Sequence, residues 1–97
     1  MTNTTEVVIY QIKADKVSDY LNISKATDNF LSMRKGFVSR RLTQDSKDKS
    51  VFLDIIEWDT LEDAEGAAQA IQQEPSMMAL FSLTEKLISF GHYHNYR

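Results

Sequence analysis

The sequence contains no cysteine, a single proline and only three glycines in 97 residues. Without cysteine there are no disulfides, no thiolate nucleophiles and no thiolate-held metal or iron–sulfur sites, so stability must come from packing within the chain or between chains. No segment approaches the roughly 20 consecutive apolar residues that cross a bilayer. The opening MTNTTEVV has neither the basic region nor the apolar run of a secretory signal. The expectations are no membrane association and a cytoplasmic location. Lys and Arg are scattered, apart from short pairs such as Arg34–Lys35 and Arg40–Arg41, and the formal charge is −3. With no basic stripe interleaved with aromatics, nucleic acid is not an expected partner.

What is present suits one soluble globular domain over residues 1–97, with 42% hydrophobic and 26% charged residues. A domain of this size buries only roughly 60–65% of the surface its unfolded chain exposes, so a partner surface is physically attractive.

Glu6 to Lys13 reads as a strand, because Val7, Val8, Ile9 and Ile12 favour extended backbone and Tyr10 adds an aromatic. Both of its faces are largely apolar, which predicts burial on two sides. Asp15 is placed to cap the next helix. That helix is predicted over Val17 to Met33, with a stripe of Val17, Tyr20, Leu21, Thr27, Phe30 and Leu31, widened by Ile23, Ala26 and Met33. Gly36 is a natural left-handed stop behind the basic Arg34 and Lys35.

Phe37 to Leu42 and Val51 to Trp58 read as two strands of a hairpin with a polar, mobile tip between them. Alternation puts Phe52, Asp54, Ile56 and Trp58 on one face, so Asp54 interrupts an otherwise apolar row. Thr60-Leu61-Glu62-Asp63 resembles a capping box before a helix whose face is Leu61, Ala64, Ala68 and Ile71. Pro75 suits the first turn of a second short helical piece. Leu83 to Tyr96 is extended and sets Ile88, Phe90, His92 and His94 on one side. Strand, helix, strand, strand, helix, strand makes an α+β domain of split βαβ type, with both helices on one sheet face. An identical chain is the economical cover for the other face, which predicts a homodimer; in a rival arrangement the C-terminal tail covers it within a monomer.

The stretch Lys35-Gly36-Phe37-Val38-Ser39-Arg40-Arg41, then Val51 to Trp58, then Thr60-Leu61-Glu62-Asp63-Ala64, resembles the antibiotic biosynthesis monooxygenase domain family of dimeric α/β barrels, over Val7 to about Tyr93. The resemblance implies a ferredoxin-like βαββαβ protomer with an antiparallel sheet packed against its twin and a pocket between sheet and helices. It implies two chemistries: cofactor-independent oxygenation of phenolic or quinol substrates, and haem degradation. The haem-degrading branch uses an Asn on the first strand and a Trp and a His on the second helix. Here the strand offers Tyr10 and Gln11, and Leu61 to Phe81 holds neither Trp nor His, which argues against haem degradation.

His92 and His94 are the only histidines, and two-residue spacing in a strand puts them on one face. As pocket bases, with Asp54 as an orienting carboxylate, they are the candidate catalytic residues; a neutral imidazole accepts a phenol proton near neutral pH. The bland alternative is surface or interface polarity. With Asp54 the pair also has the composition of a facial triad for a divalent metal, which makes a metal-dependent enzyme one alternative function. Neither metal nor cofactor is expected in the main reading. Asp54 needs a partner if buried, and Arg41 or a histidine is the predicted one. Tyr10, Arg41, Phe52, Trp58 and Phe90 are the candidate lining for a small aromatic molecule, with ordinary core packing as the competing role. A non-catalytic homodimer that binds a small molecule is the other alternative.

Overall fold

A computed structural model describes residues 3–96, so Met1, Thr2 and Arg97, the ends of the predicted 1–97 domain, lie outside the described residues. The elements are β1 (Thr4–Ile12), α1 (Val17–Ser32), β2 (Phe37–Gln44), β3 (Val51–Trp58), α2 (Leu61–Ile71), α3 (Met78–Leu83) and β4 (Thr84–His94), with 3-10 turns at Ala14–Lys16 and Pro75–Met77. All strand pairs are antiparallel, in the order β2-β3-β1-β4. This is the ferredoxin-like α+β arrangement that the element order predicts, with the second helix broken in two at Glu74-Pro75.

Thr60 caps α2 by accepting the backbone N–H of Asp63 at 3.0 Å, so half of the predicted capping box forms. Gly36 takes φ +81°, the left-handed turn that stops the chain after α1. Asp15 does not cap α1: it lies inside the 3-10 turn, and Lys16 stands at the cap without a side-chain bond. The buried stripe of α1 is Tyr20, Ser24, Thr27 and Leu31, while Leu21 and Met33 are exposed. Polar Ser24 is buried because it receives an arginine from the sheet. The hairpin tip is organised by Asp45, which accepts the backbone N–H groups of Lys47 and Asp48, and by Asp48, which accepts that of Ser50.

All three helices pack on the sheet face that carries Tyr10, Ile12, Phe52, Ile56 and Trp58. The packing there has two clusters, Leu31–Ile56–Trp58–Ala64–Ala67 and Tyr10–Ile12–Tyr20–Phe52. On the opposite face Val7, Ile9, Leu53 and Ile55 remain half-buried. The C-terminal segment does not cross that face, since it pairs edge-on with β1. That removes the monomer-with-tail arrangement.

Candidate functional site

Between the two clusters a cavity of about 300 Å³ remains. Its floor is sheet, with Glu6, Val8 and Tyr10 from β1, Asp54, Ile56 and Trp58 from β3, and Leu87 and Phe90 from β4. Helical residues such as Leu31, Ala67 and Leu80 close it. The small Ala67 and Ala68 leave the space that larger residues on that face of α2 would fill. Exposed Phe81, Leu87 and Phe90 make an apolar rim.

Asp54 is the centre of a buried polar network. Arg40, from β2, gives its Nε–H to Asp54 Oδ1 at 2.7 Å and an Nη2–H to Oδ2 at 3.1 Å. Its Nη1 reaches Asp28 Oδ1 at 2.8 Å and Ser24 Oγ at 3.2 Å, both on α1. Tyr10 donates to Asp54 Oδ2 at 2.8 Å and its hydroxyl also meets that of Tyr20. A buried carboxylate with this many charge-assisted donors is satisfied where it stands. Burial, with the Asp54 charge behind it, pushes the Tyr10 phenol far above its ordinary value, so Tyr10 acts as a donor. Burial alone would weaken the Arg40 charge, but its bonds to Asp54 outweigh this and hold the guanidinium above its usual value.

At the other end of the cavity floor, Glu6 pairs across the sheet with His92, and Glu6 Oε1 lies 3.1 Å from His92 Nε2. Burial raises the Glu6 carboxyl above the usual range; His92 pulls it back down, and the Asp54 charge adds to the rise. The Trp58 indole N–H and the Thr4 hydroxyl are buried without a hydrogen-bond partner among the described residues, and the two residues are cross-strand neighbours. The indole still favours the Glu6 anion.

Of the residues predicted from sequence, Tyr10, Asp54, Trp58 and Phe90 line the cavity. Phe52 does not: it is buried beside Tyr10, with ring centroids 6.2 Å apart. Arg41 stands opposite Ile55, in the phase of the other sheet face, and is exposed. Its neighbour Arg40 is therefore the partner of Asp54, because alternation gives only one of the two the helix-covered face. His92 lies just outside the cavity lining, behind Glu6, and His94 is exposed opposite Thr4. His92, His94 and Asp54 do not converge, and among the described residues no three His, Asp or Glu side chains are grouped to hold a metal. The facial triad is thereby withdrawn.

Sequence reading missed Glu6 and the polar role of Tyr20. The signal for Glu6 was its phase: it precedes Val8, Tyr10 and Ile12 by steps of two, so a strand beginning at Thr4 carries it onto the buried face.

No protein-family model and no curated protein matches the sequence. Solved structures do match its fold. A Bordetella bronchiseptica protein described as "Putative antibiotic biosynthesis monooxygenase" superposes with a TM-score of 0.87 at 8% identity, over 100% of both chains. SnoaB, a cofactor-independent oxygenase from Streptomyces nogalater, gives 0.71 at 14% identity over 100% of this chain and 94% of its own. A Shewanella loihica protein described as a "putative monooxygenase" gives 0.73 at 23% identity over 100% and 98%. The class defined by fold and site is thus a ferredoxin-like α+β domain with a cavity between sheet and helices. Within that class, the chain has the fold of the antibiotic biosynthesis monooxygenase proteins.

Proposed function

We propose that the protein is a cofactor-independent monooxygenase acting on a small phenolic or quinol-like aromatic compound, as a cytoplasmic homodimer. The observation that carries this reading is the cavity, a partly open apolar space of about 300 Å³ with two carboxyl groups, Glu6 and Asp54, in its wall. That space suits a small aromatic ligand. Among the described residues, no helix is long and apolar enough to cross a membrane.

The chemistry requires little from the protein. A carboxylate accepts the hydroxyl proton, and the resulting phenolate gives one electron to O2. The two radicals combine at a ring carbon that still carries hydrogen. The hydroperoxide so formed loses water and leaves a carbonyl, so one phenol and one O2 give one quinone and one water. The substrate supplies all four electrons, and the protein supplies orientation and exclusion of water.

Oxygen uptake with a panel of hydroquinones and naphthols tests the reading. One O2 consumed per quinone formed is the expected result, with Ala68→Phe abolishing it by filling the cavity. Uptake no faster than in protein-free solution would overturn it, and saturable binding without uptake would mark a non-catalytic binder instead.

A further inference from the structure

The two carboxyl groups in the cavity wall are not equivalent. Asp54 is committed on both oxygens, to Arg40 and to Tyr10. Glu6 is held on one side, by His92. The Glu6 side chain is 9% exposed and lines the cavity, whereas that of His92 is 15% exposed and lies outside the lining, on the edge strand β4. The pair therefore spans the wall from the ligand space to the surface.

We infer that Glu6 and His92 form a proton relay, in which Glu6 takes the proton of a cavity-bound aromatic hydroxyl and His92 passes it to solvent. The inference rests on the phenolic reading above. The ligand O–H bond breaks and a Glu6 O–H bond forms; the proton then moves to His92 Nε2, and Nδ1 releases its own proton to water. Neutral imidazole, with one nitrogen free to accept and the other bearing hydrogen, is suited to this transfer. No electron changes hands in these steps.

The surroundings favour the assignment. Facing Glu6 are His92 from β4 and Asp54 and the Trp58 indole from β3; none of the cavity residues from α1, α2 or α3 is titratable. A carboxyl raised by burial is a stronger base and a closer match to a phenol than an exposed one. His94, two residues further on, is exposed and outside the relay.

The chromophoric phenol 4-nitrophenol separates the claims, because its absorbance reports both binding and ionisation. Wild type, Glu6→Gln, His92→Gln and His94→Gln are expected to bind it within a few-fold of one another, with circular dichroism confirming that each is folded. In wild type the Glu6 carboxylate beside the bound probe disfavours a second negative charge, so the phenolate absorbance appears at a pH about one unit, or tenfold in proton concentration, above that in Glu6→Gln. After a pH jump, proton exchange of the bound probe slows at least tenfold in His92→Gln, is restored by added imidazole, and is unchanged in His94→Gln. Identical titrations in wild type and Glu6→Gln, or an unslowed His92→Gln, would overturn the relay alone. No binding to wild type would overturn the phenolic reading and the relay with it.

Discussion

Arg40 shows how much one side chain settles in this protein. Its side chain is 3% exposed and joins β2, β3 and α1 through Asp54, Asp28 and Ser24. Replacing it with alanine strands the Asp54 charge, and a loss of about 3–5 kcal/mol is expected in chemical denaturation. Arg41→Ala, on the other face, is expected to leave stability nearly unchanged. Glu6 acts in the opposite sense. Its folded-state carboxyl is raised by burial, so the native protein holds that proton to higher pH than the unfolded chain does. The Glu6 contribution to stability therefore declines as pH rises from the ordinary value near 4.5 through the raised one, and is constant on either side of that window. Glu6→Gln is expected to flatten this decline: its melting temperature relative to wild type should increase across the window, a comparison that differential scanning calorimetry makes directly. The partner of Asp54 was half legible, since the sequence offered an adjacent Arg40 and Arg41 and only the strand phase decides between them.

The elements whose signals are local were the most readable. β3 runs from Val51 to Trp58 as alternation requires, and the Thr60 cap opens α2 where the sequence places it. Gly36 is a further case: a Cβ there would collide with the Asp63 carboxyl on α2, and φ is +81°. Gly36→Ala is expected to cost about 1–3 kcal/mol, measured by urea unfolding. β4 was less readable. Phe90, His92 and His94 do stand opposite Val8, Glu6 and Thr4, but register shifts after Ile9, so that Tyr10 meets Leu87 and Ile88 is passed over. Leu87 then takes the place on the cavity floor that alternation assigned to Ile88. A bulge depends on how two strands meet, and neither strand's own pattern encodes it.

For the whole molecule, the open sheet face is what bears on assembly. Val7, Ile9, Leu53 and Ile55 are apolar and half-buried there, and the proposed homodimer covers them with a second copy. Sedimentation equilibrium at micromolar concentration is expected to give a dimer for wild type and a folded monomer for Ile55→Asp; a wild-type monomer would contradict the assembly. Periodicity, caps and breakers along the chain determined the βαββαβ order and the strand faces, because these rest on contacts between near neighbours in sequence. Which side chains share the cavity was decided only by tertiary structure. Glu6 and His92 are far apart in sequence and meet because β4 pairs with β1, while Arg40 reaches Asp54 across the β2–β3 register. His92, His94 and Asp54, weighed from the sequence as candidates for one site, stay apart for that reason: a shared face does not bring residues on separated strands to one point, since lateral strand order sets the distance between them.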